Sequence, residues 1–155
     1  MKRERDLTDL EAAQLADALR NELLDRREDF SFETVLSTDR NLLLLQKAKE
    51  CGYEVQCIYV LTCDENINVA RVRGRVAAGG HDVPEGKIRE RYHRALALLP
   101  QVIDVCDKIR VYDNSTTEPT TKPSPIFEKD GEYSEVFPND HWPEAKLRDL
   151  LTLKI

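Results

Sequence analysis

Hydrophobic and polar positions alternate along this chain in blocks of helical and strand period, separated by turn residues. Leu10, Leu15, Leu19 and Leu23 recur every four or five positions, and Thr8 with Glu11 has the spacing of a capping box. That pattern predicts a helix over about 8–27 with one apolar face. Residues 30–36 (FSFETVL) are aromatic and β-branched around one polar pair and predict a short strand. Thr38 or Asp39 is placed to cap a second helix with Leu42 to Leu45 and Ala48 in its body, ended by Gly52. The nearly continuous apolar run 55–61 (VQCIYVL) predicts a strand covered on both faces. Strand, helix and strand together form a βαβ unit, whose crossover is expected to be right-handed.

Further along, a third helix is expected over 65–78, broken at Gly79-Gly80. A fourth starts near Pro84, with Ile88, Tyr92, Ala95, Leu96 and Leu99 on one side. Ile109 to Tyr112 reads as a third strand, stopped by Asp113-Asn114-Ser115. A Thr/Pro-rich connector over 116–125 leads to Ile126-Phe127 and Tyr133 to Phe137, which flank Asp130-Gly131 as a hairpin. Leu147, Leu150 and Leu151 equip a last short helix over 143–151 for docking. The fold class is α/β, without internal repeats.

A length of 155 residues suits one domain, and 41% apolar against 34% charged residues gives a core under a heavily solvated surface. No apolar run approaches the roughly 18 residues of a membrane span. The charged start, Met1 to Asp6, has no apolar stretch behind it and does not read as a secretory signal, which points to the cytosol. Cys51, Cys57, Cys63 and Cys106 include no C-x-x-C pair and lie far from His81, His93 and His141. They read as free thiols in a reducing compartment, with no metal site.

Charge changes the picture most. The net charge is −6, which argues against general nucleic-acid binding, yet 71–94 holds seven basic and three acidic residues. That island carries +4 and the rest of the chain −10, so it is a candidate anion site. Arg71 and Arg75 share helical spacing, as do Lys87, Arg91 and Arg94, with Gly79-Gly80-His81 as a joint between them. Two such faces either close as a lid on a polyphosphate, with arginine offering bidentate contacts, or lie in water paired with glutamates. Glu33 is the other candidate: a carboxylate amid apolar neighbours either projects with Thr34 and Ser37 into a ligand crevice at a strand end, or belongs to an exposed edge strand. A phosphate-cradling G-x-x-x-x-G-K-[ST] loop is not found. Gly80 to Gly86-Lys87 has one residue too many between its glycines and Ile88 where Ser or Thr belongs.

Six collinear segments carry a resemblance. They are 30–37 (FSFETVLS), 52–55 (GYEV), 71–76 (RVRGRV), 79–84 (GGHDVP), 88–94 (IRERYHR) and 111–115 (VYDNS). In that order and spacing the chain resembles the zeta-toxin-like, predicted-ATPase branch of P-loop small-molecule kinases, relatives of UDP-N-acetylglucosamine kinase, over about 11–119. The resemblance implies a three-layer P-loop fold with a parallel sheet, a helical lid over about 65–100, and a C-terminal hairpin and helix over about 125–151. It also implies ATP and Mg²⁺. It assigns Glu33, Thr34 and Ser37 to the substrate and metal side of the cleft, with Glu33, Arg75 and Arg91 as catalytic. Arg71 and Arg94 join those arginines around the phosphates, and Asn114 and Ser115 lie near the adenine. Members carry a first strand and a Walker A loop ahead of the segment matching Glu11. The expectation is therefore a single partial kinase domain, N-terminally truncated and weak or inactive alone, acting on a small hydroxylated substrate such as a nucleotide sugar. Its alternatives are a non-catalytic remnant, an interaction module such as a homodimer, or half of a split kinase completed by a P-loop-bearing chain. An antitoxin partner belongs to the same expectation.

Overall fold

The computed structural model describes residues 8–118 and 121–151, and the chain divides into two compact units at Thr34/Val35. The first unit holds helix α1 (Asp9–Arg26). Its capping box is formed: the Glu11 carboxylate accepts from the Thr8 N–H at 2.9 Å and the Thr8 hydroxyl accepts from the Glu11 N–H at 3.2 Å. The expected apolar face is not buried, because Leu10, Leu15 and Leu19 are exposed while Leu24 is covered.

Residues 30–36 are not a strand. Phe30 stacks on Phe32 with centroids 6.2 Å apart, the Arg20 guanidinium sits 4.5 Å over the Phe32 ring, and Leu36 adopts a left-handed φ of 50°. Aromatic residues favour strands only where a neighbouring strand completes the ladder, and among the described residues this segment pairs with no strand. The βαβ unit expected over 30–61 is accordingly absent.

The second unit contains α2 (Asp39–Glu50), β1 (Gln56–Leu61), α3 (Glu65–Ala77), α4 (Glu85–Val105), β2 (Lys108–Asp113), β3 (Ser124–Asp130), β4 (Tyr133–Val136) and α5 (Glu144–Leu150). The fold is α/β, with one four-stranded sheet in the order β1-β2-β3-β4. Only β1 and β2 run parallel, connected through α3 and α4; β2, β3 and β4 are antiparallel. One of the three pairings is thus parallel, and the sheet is mostly antiparallel rather than the parallel sheet the resemblance implies.

Local chemistry explains the boundaries. Gly52 takes φ 87° just past α2, where the Tyr53 N–H reaches the Ala48 carbonyl at 3.0 Å and satisfies an orphaned helix acceptor. Asp107 ties three elements together: its carboxylate accepts from Lys49 Nζ at 2.6 Å and from the Val55 N–H at 2.7 Å, and both hold it below the usual carboxylate range. The predicted hairpin is present, turning at Gly131 with φ 60°.

The core is built by Leu98, Leu99, Val102 and Ile103 of α4, by Ile109 and Val111 of β2, and by Trp142 and Leu147. An irregularity in the β2–β3 register between Val111 and Tyr112 lets Ile126 and Phe127, adjacent in sequence, both bury their side chains. The strand β1 is covered on one face only. Tyr59 and Leu61 are buried, with the Tyr59 hydroxyl donating to the Ala95 carbonyl at 2.9 Å, whereas Ile58 is 75% exposed and Val60 53% exposed. An apolar run alone does not say which of its residues meet a second layer. All four cysteines are free thiols, and Cys106 is the buried one.

Candidate functional site

The carboxyl ends of the parallel pair β1 and β2 stand side by side, with Leu61 in register with Asp113. In an open α/β sheet this is where a ligand crevice forms, because the loops that follow diverge there. After β1 the chain passes through Thr62 and Cys63 to Asp64, whose carboxylate caps α3 by accepting from the Asn66 N–H at 2.7 Å. After β2 it enters 114–118. The Asn114 N–H donates to the Leu61 carbonyl at 2.8 Å and the Cys63 N–H donates to Ser115 Oγ at 2.8 Å, so the two loops are laced together.

Arg71, near the middle of α3, lies over this junction. One of its guanidinium nitrogens donates to the carbonyls of Asn114 at 2.8 Å and Thr116 at 3.0 Å. Beside it opens a cavity of about 420 Å³, lined by Ile67, Ala70, Arg71, Asn114, Thr116 and Glu118 among others. Its size lies in the range of small-molecule sites, and its lining sets Ile67 and Ala70 among polar and charged residues.

Buried behind the loop is Asp113, with its side chain 3% exposed. Its carboxylate accepts from the Ser115 N–H at 3.0 Å, from the Ser115 hydroxyl, from Asn139 Nδ2 at 3.2 Å and from His141 Nδ1 at 2.8 Å. Burial alone raises a carboxyl pKa, but the hydrogen bonds from Ser115, His141 and Asn139 outweigh it and hold Asp113 below its ordinary value.

The helices α3 and α4 are joined by ion pairs. Glu85 meets Arg73 at 2.7 Å and Arg89 at 2.6 Å; Glu65 meets Arg89 and His93, each at 2.6 Å. The Tyr92 hydroxyl donates to the Thr62 carbonyl at 2.9 Å, and desolvation pushes its pKa up to about 12. Gly79, with φ 90°, ends α3, and a Cβ on Gly80 would lie 2.6 Å from Arg75 Cγ and 3.0 Å from the Arg75 carbonyl oxygen. The glycine joint between the two helices is where the sequence puts it.

The residues expected to carry chemistry distribute as follows. Arg71 and Asn114 meet at the cavity, with Ser115 directly behind it. Arg75 turns back onto the joint, donating to the His81 carbonyl at 3.2 Å, and Arg94 pairs with Glu90 at 2.8 Å. Arg91 is exposed and, among the described residues, its side chain makes no hydrogen bond or ion pair. It lies two positions, about 200° of helical rotation, from Arg89, which faces α3. No contact brings Arg75 and Arg91 together. Glu33 and Thr34 are exposed in the first unit, and Ser37 is half-buried at the start of the second.

Sequence reasoning missed Asp113, Asn139 and His141 as a cluster. They lie 26 and 28 residues apart, in segments that read as plain turns, and no spacing rule joins them. For the divalent cation, no group of three or more His, Cys, Asp or Glu among the described residues is arranged to hold one.

Comparison with known sequences supplies the context. The profile of the family described as Zeta toxin matches residues 1–120. A protein of Haemophilus influenzae described as an uncharacterized protein is 31% identical over 86 residues, 56% of this chain and 61% of that protein. The chain thus spans less than two thirds of that relative's length. No solved structure matches.

Proposed function

This chain belongs to the zeta toxin family, and on that premise we propose that it forms the nucleotide-facing part of an ATP-dependent phosphotransferase with a small hydroxylated acceptor such as UDP-N-acetylglucosamine. The observation that carries the reading is Arg71 donating to the Asn114 and Thr116 carbonyls beside a cavity of about 420 Å³, at the carboxyl end of a parallel strand pair. A planar guanidinium over a loop of backbone carbonyls suits a purine, whose edge offers donors and acceptors and whose face stacks on the cation.

In this reading the acceptor hydroxyl attacks the γ-phosphorus, the bond to the β-phosphate oxygen breaks and ADP leaves. Arg75 and Arg91 neutralise charge on the transferring group when the lid closes, with Arg94 as helper, because phosphoryl transfer depends on positioning and charge compensation. Glu33, Thr34 and Ser37 form the acceptor side, with Glu33 taking the hydroxyl proton. ATP and Mg²⁺ are the cofactors the family implies, and the cytoplasm the expected compartment. These 155 residues contain no G-x-x-x-x-G-K-[ST] window, so their own contribution to holding the β- and γ-phosphates is the lid.

A second reading is favoured by β1. It is an edge strand of the sheet with a parallel neighbour, and Ile58 and Val60 on its open face are exposed, whereas parallel strands ordinarily have both faces covered. That edge suits a P-loop-bearing chain that completes a split kinase.

The test is titration of the purified chain with a fluorescent adenine nucleotide, followed by an ADP-release assay with UDP-N-acetylglucosamine. The expected result is measurable nucleotide binding, weakened about tenfold in Arg71→Ala as the guanidinium that stacks on the base is lost, with turnover near background for this chain alone. Absence of binding at millimolar nucleotide, or equal binding by Arg71→Ala, overturns it.

A further inference from the structure

The loop under Arg71 is held from its far side by residues from a distant part of the chain. Ser115, in the middle of that loop, donates both its N–H (3.0 Å) and its hydroxyl to Asp113 Oδ1, and its Oγ accepts from the Cys63 N–H at 2.8 Å. The other carboxylate oxygen of Asp113 is held by His141 Nδ1 at 2.8 Å and Asn139 Nδ2 at 3.2 Å. Each carboxylate oxygen thus faces a different segment: one the loop, the other the stretch 139–142 that leads into α5.

That stretch is a closed turn rather than a slack tether. Asn139 Oδ1 accepts from the N–H groups of His141 at 3.0 Å and Trp142 at 2.9 Å, and the Asn139 N–H donates to the Trp142 carbonyl at 3.1 Å. Trp142 is 2% exposed, and Lys146 Nζ lies 4.1 Å over its ring while donating to the His141 carbonyl at 3.2 Å. Asn139 spends its amide NH₂ on Asp113 and on Ser124 Oγ at 3.3 Å, so both of its ends are committed.

We propose that Asn139 and His141 are positioning residues for the cavity: by fixing Asp113 they fix Ser115, and with it the Asn114 and Thr116 carbonyls on which Arg71 is seated. The inference rests on reading the cavity as a nucleotide site, and it adds that a turn outside the region matched to the family, beyond residue 120, sets how well that site is formed. Neither residue lines the cavity; both act through Asp113. A mobile loop would present its carbonyls to the nucleotide only part of the time, and apparent affinity falls by the fraction of time the competent form is absent. Trp142, the single tryptophan of the chain, lies in the same turn and reports the state of the latch.

The experiment compares the full chain with His141→Ala, Asn139→Ala and His141→Asn. The last keeps a side-chain N–H donor near the position of Nδ1. Amide hydrogen exchange is read first without nucleotide, at Ser115 and at the core amides of Val111 and Phe127; binding of a fluorescent ADP analogue and Trp142 emission follow. The expected result for His141→Ala is exchange at Ser115 faster by about tenfold with core amides unchanged, and binding weaker by about tenfold. His141→Asn should recover most of both, and nucleotide should shift Trp142 emission in the wild-type chain only. Exchange and affinity within twofold of wild type in both alanine variants overturn the proposal, as does acceleration of loop and core amides together, which marks a purely structural role. If wild type binds no nucleotide while Ser115 exchange still follows the variants, the latch stands and the nucleotide assignment is what fails.

Discussion

Replacing Asp113 by asparagine removes one charge and reverses one hydrogen-bonding group in a site with no room to adapt. The Asp113 side chain is 3% exposed, and its Oδ2 accepts from His141 Nδ1 at 2.8 Å and Asn139 Nδ2 at 3.2 Å. In Asp113→Asn one of the two oxygens becomes an NH₂. If the amide keeps its oxygen toward Ser115, its nitrogen faces two donors; if it flips, it faces the Ser115 N–H and hydroxyl. Either orientation strands one obligate donor, the Asn139 amide or the Ser115 N–H, because the Ser115 hydroxyl and the His141 ring can turn acceptor, and every remaining bond loses its charge assistance. Losing a hydrogen bond to a charged group costs about 1.5–3 kcal/mol. His141 is 45% exposed and recovers part of that from water, so the expected loss is about 3 kcal/mol in all. For a chain of this size that lowers the melting temperature by roughly 6–12 °C.

Urea unfolding followed by Trp142 emission measures this directly, because the single tryptophan is buried beside the site. The pH dependence supplies a second check. The folded-state pKa of Asp113 lies below its ordinary value, so its contribution is complete above the unfolded carboxyl pKa of about 3.9 and is lost as pH falls through the lower folded value. The gap between wild type and Asp113→Asn should therefore be full near neutrality and shrink progressively below about pH 4. A variant within about 0.5 kcal/mol of wild type at neutral pH, or a gap unchanged in acid, refutes the reasoning.

Two further predictions concern the frame around the site. Leu99 is fully buried on α4, and Leu99→Ala should destabilise the second unit by about 3–4 kcal/mol through lost burial and the cavity left behind, read as a lower urea midpoint. Gly80→Ala would place a Cβ 2.6 Å from Arg75 Cγ and 3.0 Å from the Arg75 carbonyl oxygen; the side chain can move, but the carbonyl is fixed in the helix end. A loss of about 1–2 kcal/mol is expected, with Arg75 displaced from the His81 carbonyl, and amide exchange around His81 should rise.

The features legible in the sequence are those set by neighbours along the chain. The Thr8–Glu11 box, the glycine after α2, the glycine joint before α4 and the hairpin at Gly131 each follow from a few adjacent residues. What failed depended on partners far away. Residues 30–36 have strand-like composition, yet a strand exists only by pairing, and Phe30 and Phe32 stack on each other instead. The run 55–61 looks doubly covered, but cover is supplied by another element, and Ile58 and Val60 have none. The leucines of α1 are spaced as a face without being buried as one. The site divides the same way. Arg71 emerged from local charge and Asn114 and Ser115 from the resemblance, whereas the Asp113–His141 contact joins two polar turns that nothing in their local sequence connects.

The basic island gives the resemblance a physical footing of its own. If its arginines served only to hold α3 to α4, each would be matched by a carboxylate. Arg73, Arg89 and Arg94 are matched, to Glu85, to Glu65 and Glu85, and to Glu90. Among the described residues Arg71, Arg75 and Arg91 have no carboxylate partner, and two of them are engaged by neutral carbonyls instead. A backbone carbonyl holds a guanidinium in place without cancelling its charge, so the field of Arg71 and Arg75 remains available to an incoming anion. The acidic remainder of the chain, at −10, makes that surplus a local exception rather than a general basic surface. The partition therefore separates the arginines matched by carboxylates from those whose charge is left uncancelled. It leaves Arg75 and Arg91, which the resemblance names as catalytic, unmatched together with Arg71, while Arg94, which the resemblance also places around the phosphates, is matched by Glu90.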